Sequence, residues 1–143
     1  MRAILYIFIF MLIFFETAVY ANYPYYAIGL SFIGYLAYKK SSGYIILAVL
    51  VAIINGISGE HLATDIIFYS FFFVLMLNIY KFIYFEKINI ILISFVETFV
   101  YALFIYVFKI KEVLPIIWVK EFAFLLIYNY IFAKLEKNMG KQV

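Results

Sequence analysis

The sequence predicts an all-α fold: a polytopic membrane protein built as a bundle of six transmembrane helices with both termini cytoplasmic. Three observations carry that expectation. First, the 143-residue chain is 69% hydrophobic, with a mean hydropathy of +1.10. A soluble domain of this size exposes too much surface to hide so much Ile, Phe, Leu and Tyr, whereas a bilayer solvates them directly. Second, breaking the chain at charges, Pro and Gly leaves six apolar segments, roughly 3–21, 23–38, 43–58, 64–84, 88–108 and 112–134. Their hydrophobicity does not alternate, and backbone polar groups must pair internally in lipid, so helices are favoured over barrel strands. Third, sorting the connections alternately to two sides leaves Arg2, Lys39, Lys40, Lys81, Lys87, Lys134, Lys137 and Lys141 on one side and only Lys109 and Lys111 on the other. The Lys/Arg-rich side is cytoplasmic by the positive-inside rule.

Each element has its own justification. The first segment follows Arg2 and runs on through Phe14 and Phe15 to Tyr20 with no small-residue cleavage site, so it reads as a retained helix and not as a secretory signal. The second and third are short against the ~20 residues that cross a bilayer, which predicts that they tilt little, thin the membrane or pack inside the bundle. Tyr20, Tyr23, Tyr25 and Tyr26 fall at the outer rim, where amphipathic rings suit the headgroups. The third segment runs into an outward turn, Asn55, Gly56, Ile57, Ser58 and Gly59, followed by Glu60 and His61. Asp65, near the start of the fourth, suits the positive end of a helix dipole. Pro115 stands near the start of the sixth, where Pro is tolerated. Residues 1–143 form a single integral membrane domain with short connections, so function resides within the spans or at their rims.

Several kinds of chemistry are excluded. The net charge of +3 comes from lysines placed between apolar runs, not from a basic groove with interleaved aromatics, so nucleic acid is not a partner. With no cysteine there are no disulfides, thiolate metal sites or thiol catalysis. Gly56, Ile57, Ser58 and Gly59 match the GxSG serine motif of the rhomboid intramembrane proteases, but the sole histidine, His61, lies three residues from the serine instead of on another helix. The two glycines instead suit a helix end and tight turn. Glu60, His61 and Asp65 match no strong metal spacing and read as a solvated outer loop. Phosphate-cradling glycine loops and dinucleotide signatures are absent. The expectation is a protein that is not an enzyme, with no cofactor and no metal.

Five residues resist a membrane interior: Glu16, Glu97, Lys120, Glu121 and Asn129. A charge at the bilayer centre costs about 2.5–3.5 kcal/mol even on insertion scales, so such residues find protein or water. They are either packing contacts within the bundle or contacts to a partner; a proton or cation relay is the transport alternative. At ~1.5 Å per residue, Glu16 lies roughly 8 Å below the outer end of its helix, Glu97 roughly 16 Å and Lys120 roughly 12 Å. This predicts that the first, fifth and sixth helices meet, with Lys120 pairing to Glu97 or Glu16 and Glu121 left neutral or turned toward a partner. The two glutamates share surroundings: FFETAVY at 14–20 and FVETFVY at 95–101 both read F-x-E-T-x-V-Y, although little outside those seven residues repeats.

The order of these features resembles MreD, the small membrane subunit of the bacterial rod-shape, or elongation, machinery. Glu16 matches a polar residue late in the first helix, and Pro24 the proline that opens the second. The stretch Asn55, Gly56, Ile57, Ser58, Gly59, Glu60, His61, Leu62 resembles the turn after the third helix, with Asn55 where the family usually has an acid and Ala63 where it often has glycine. Glu97 matches an acid midway in the fifth helix, and Lys134 through Lys141 a basic tail. The resemblance implies a non-enzymatic scaffold in the cytoplasmic (inner) membrane that binds MreC, a single-pass protein with a periplasmic domain. It further implies action with the MreB cytoskeleton, the RodA glycosyltransferase and its penicillin-binding transpeptidase in lateral peptidoglycan synthesis and cell shape. Ala52 and Gly56 form a small-xxx-small pair that admits a close neighbouring helix, and the cytoplasmic lysines favour anionic lipid. The competing reading is the substrate-binding membrane component of a vitamin transporter of the ECF type, or another small transporter.

Overall fold

The structure is a computed structural model that describes residues 2–19, 27–39, 44–56, 62–86, 88–109 and 115–140. Those residues form six α-helices and no strand: α1 (Arg2–Val19), α2 (Ala27–Tyr38), α3 (Ile45–Gly56), α4 (Leu62–Ile79), α5 (Ile90–Phe104) and α6 (Pro115–Gly140). A π-helical turn over Ile105–Lys109 continues α5. The all-α class is therefore as expected. Two stretches, Leu62–Ile79 and Ile90–Val107, are long and apolar enough to cross a membrane, with mean hydropathies of 1.9 and 2.3.

The helix at the centre is α2. Ten of its 12 residues are buried, because α6 and α4 pack on it, with α3, α1 and α5 completing the ring. Its composition explains how five neighbours fit: Gly29, Ser31, Gly34 and Ala37 leave room for approaching helices, while Phe32 and Tyr35 fill the remaining space. Phe32 meets Tyr6 and Phe10 of α1 edge-on, at 5.9 and 5.7 Å between ring centroids. Tyr35 stacks on Phe132 of α6 at 5.1 Å, and Phe68 of α4 stacks on Phe104 of α5 at 3.9 Å. Such pairs contribute about 0.5–1.5 kcal/mol each beyond the area they bury. The outer helices keep large apolar side chains on the surface, among them Ile4, Phe8 and Phe15 of α1 and Ile91, Phe95 and Phe99 of α5.

Two helix ends differ from the apolar segments read in the sequence. The fourth segment continues to about residue 84, but α4 stops at Ile79. Asn78 turns the chain there: its Nδ2 donates back to the Val74 carbonyl at 3.0 Å and its Oδ1 accepts from Lys81 Nζ at 2.9 Å. Tyr80 and Phe85 then pack with Tyr38 as a three-ring cluster beside the end of α2. The sixth apolar segment ends near 134, yet α6 runs to Gly140. Charges end an apolar run without ending a helix, since Lys, Glu and Leu are all good helix formers.

Candidate functional site

Glu16, Ser31, Ser94, Glu97 and Asn129 point inward, and their side chains meet along α2. Asn129 of α6 is the hub. Its Oδ1 accepts from Ser31 Oγ of α2 at 2.6 Å, while its Nδ2 donates to Ser94 Oγ at 2.9 Å and to Glu97 Oε2 at 2.7 Å, both on α5. Three helices are thereby joined through one amide, and Asn129 and Glu97 are both fully buried. A buried amide with its donors and acceptor satisfied contributes modestly, but loss of one member strands the others. Ser94 is supported within α5, where Thr98 Oγ1 donates to its carbonyl at 2.8 Å.

The other oxygen of Glu97 faces α2. A Cβ added to Gly34 would collide with Glu97 Oε1 and would lie 3.6 Å from Tyr80 Oη. This glycine is required by close approach, not by backbone conformation. Neither Glu97 Oε1 nor Tyr80 Oη has a hydrogen-bond partner among the described residues.

Glu16 sits at a different level and has a different partner. It accepts from the backbone N–H of Ile28, at 3.1 Å to Oε2 and 3.4 Å to Oε1, and its carboxyl also faces the Ala27 and Gly29 amides. A carboxyl from α1 thus caps the first turn of α2, whose leading N–H groups have no partner within their own helix. Glu121 completes the set on α6: it is fully buried, and neither of its carboxyl oxygens has a partner among the described residues. It lies within electrostatic range of both Glu16 and Glu97.

The expected pairing of Lys120 is overturned. Lys120 is exposed, and among the described residues the ion pair present is Lys39 with Glu136. Helical phase explains this. Glu121, Leu125, Asn129 and Phe132 share the buried face of α6, whereas Lys120 falls about 100° away with Ile116, Val119 and Phe124 on the exposed face. Helix α1 also packs chiefly on α3 and α2, not as an equal third with α5 and α6.

The predicted outer turn divides. Asn55 lies within the last turn of α3, is buried, and donates from Nδ2 to Tyr69 Oη of α4 at 2.9 Å. It also packs against Gly29, where an added Cβ would lie 3.0 Å from Asn55 Nδ2. Gly56 ends α3; Ser58, Gly59, Glu60 and His61 lie outside the described residues, as do Pro24 and the tyrosines around it. Asp65 stands in the first turn of α4, near the helix start as the sequence implies, but it is buried on the face it shares with Tyr69, Phe72 and Met76 and does not belong to a solvated loop.

Sequence reading missed the link at the opposite end of the bundle. Glu136 of α6 pairs with Lys39 Nζ and accepts from Tyr35 Oη at 2.8 Å, with the ammonium 5.5 Å from the Tyr35 ring centroid. The signal was the placement of Lys39 and Glu136 just beyond the C-terminal ends of two apolar runs that pack side by side in the same direction. Ser31 and Ser94 were likewise missed, because a serine in an apolar run carries no charge to mark it. Comparison with family models, curated proteins and solved structures gives no match.

Proposed function

We propose that the chain is a six-span protein of the bacterial cytoplasmic membrane, with both termini cytoplasmic, that acts as a non-enzymatic scaffold of the MreD type. In this reading it binds an MreC-like single-pass protein and supports lateral peptidoglycan synthesis together with RodA and its penicillin-binding transpeptidase. The observation that carries the membrane part is the inverted surface. Glu16, Ser31, Asn55, Asp65, Glu97, Glu121 and Asn129 are all buried, while Phe15 and Phe95 are 66% and 60% exposed. Lipid solvates such rings, and polar groups in an apolar solvent turn toward each other. The 12-residue α2 and α3 rise only ~18 Å each, short of a ~30 Å hydrocarbon core. Burial of α2 on every side makes that length tolerable, since the surrounding helices, not lipid, solvate it.

The MreD part rests on the order of features in the sequence: the acid late in the first helix, the turn around Gly56 to Leu62, the acid in the fifth helix and the basic tail. A polar network wholly internal to the bundle supports a subunit that works by presenting a fixed set of helix faces. Coexpression of the tagged chain with the MreC protein of its own genome tests it. Recovery of the two as one complex in mild detergent is the expected result; recovery of the tagged chain alone, with the MreC protein present in the same membranes, overturns it.

A further inference from the structure

The end of the bundle that carries the Lys39 and Glu136 pair holds a cavity of about 550 Å³. It lies between the end of α2, the turn that follows α4 and the last turns of α6. Tyr38, Phe85, Ile88 and Ala133 give it an apolar lining, with the rings of Tyr38 and Phe85 in contact at 5.4 Å between centroids. Glu86, Glu136 and Lys137 line the rest. Glu136 is already engaged, because it pairs with Lys39 and accepts from Tyr35 Oη at 2.8 Å. Glu86 and Lys137 are different. Both are exposed, and neither makes a side-chain hydrogen bond or ion pair among the described residues. They line one cavity with opposite charges and do not pair with each other.

A ligand for this space must answer one negative and one positive group at once. A simple anion meets Glu86 and Glu136 as like charges, and a simple cation meets Lys137 as one. A zwitterion satisfies both, with its cation toward Glu86 and its anion toward Lys137. The rings of Tyr38 and Phe85 favour a cation in the same cavity. A carboxylate only accepts hydrogen bonds, so an ammonium that carries N–H groups suits Glu86 better than a quaternary one. Depth selects the source of the zwitterion. In the six-span reading this end of the bundle lies at the cytoplasmic headgroups, and Ile88, 87% exposed, carries the apolar lining out to the lipid chains. We propose that the cavity holds the headgroup of a zwitterionic phospholipid of the cytoplasmic leaflet, with a primary ammonium at Glu86 and the phosphate at Lys137. The glycerol and first chain carbons then lie against Ile88 and Ala133. The site rests on the membrane part of the proposed function and is separate from the MreC-like partner. Its occupant bridges α6 and the turn after α4, and so clamps that end of the bundle.

The test follows the Tm of the full-length protein, purified in a neutral detergent and stripped of lipid. Phosphatidylethanolamine, phosphatidylcholine or phosphatidylglycerol with the same chains is then added. The expected result is a rise of about 4 °C with phosphatidylethanolamine and a smaller rise with either of the others. Glu86→Gln lowers the phosphatidylethanolamine rise to that of phosphatidylcholine, and Lys137→Gln lowers both. Lys134→Gln, which changes an exposed lysine outside the cavity, leaves the preference intact. Equal rises with all three lipids, or the largest rise with phosphatidylglycerol, overturn the site. So does a preference that survives Glu86→Gln and Lys137→Gln together, or an equal rise from water-soluble phosphoethanolamine, which has no chains. The same preparation scores the membrane reading separately. A chain that leaves the membrane fraction only in detergent keeps that reading even where the lipid preference fails, and a chain soluble without detergent overturns both.

Discussion

Asn129 and Gly34 each do something that no other residue type does at their positions. Asn129 offers an acceptor to Ser31 and two donors to Ser94 and Glu97, so three helices depend on one amide. Asn129→Leu keeps the volume and removes all three bonds, leaving Glu97 Oε2 and Ser31 stranded. The expected cost is about 1–3 kcal/mol, read as a fall in the Tm of the purified protein; an unchanged Tm would show that the network contributes nothing. At Gly34 the constraint is space, because Glu97 Oε1 occupies the site of a side chain. Gly34→Ala overpacks the crossing of α2 and α5 at an expected cost of about 1–3 kcal/mol. Glu97→Ala in the same chain makes room again, so the two substitutions together cost less than their sum. Additive losses in that double-mutant cycle would place the strain elsewhere.

At the scale of the helix, α2 depends on a residue it does not contain. Its first turn receives a cap from Glu16 of α1, through Ile28 N–H. Glu16→Ala removes that cap and is expected to cost about 1–2 kcal/mol, while Glu16→Gln, which keeps an acceptor oxygen, costs less. Amide exchange at Ile28 and its neighbours reads the effect directly: faster exchange in Glu16→Ala with α4 unchanged is expected, and equal exchange in both variants would sink the assignment. Helices were legible in the sequence because six apolar runs separated by charges leave few other folds, and the inward acids were legible because a charge in such a run stands out. Their partners were not. Depth along the axis put Lys120 level with Glu97 and Glu16, but depth says nothing about the face of the helix, and one residue of phase sends Lys120 outward and Glu121 inward. The end of α4 was obscured for a related reason: Tyr80 and Phe85 are as apolar as the helix before them, yet they pack as a turn around Tyr38.

For the whole molecule, the decisive quantity is which end faces which side. The Lys39 and Glu136 pair, Lys81 and Lys137 share one end of the bundle, and the capped start of α2 and the end of α3 share the other. In the proposed six-span reading, with the lysine-rich end cytoplasmic by the positive-inside rule, every odd-numbered helix runs outward and every even one inward. The chain has no cysteine, so single substitutions report position without background. Lys137→Cys, at an exposed site on the last turns of α6, is expected to react with a membrane-impermeant maleimide only after the membrane is opened. His61→Cys, between α3 and α4, is expected to react in intact cells whose outer barrier is permeable to the reagent. The reverse pattern would invert the orientation and move the Lys39 and Glu136 pair to the outer face. Reaction of both sites from one side would remove an odd number of crossings between α4 and α6. With three helices between His61 and Lys137, the two labels must fall on opposite sides if each of those helices crosses, and this parity makes the pair a test of the spans as well as of their direction.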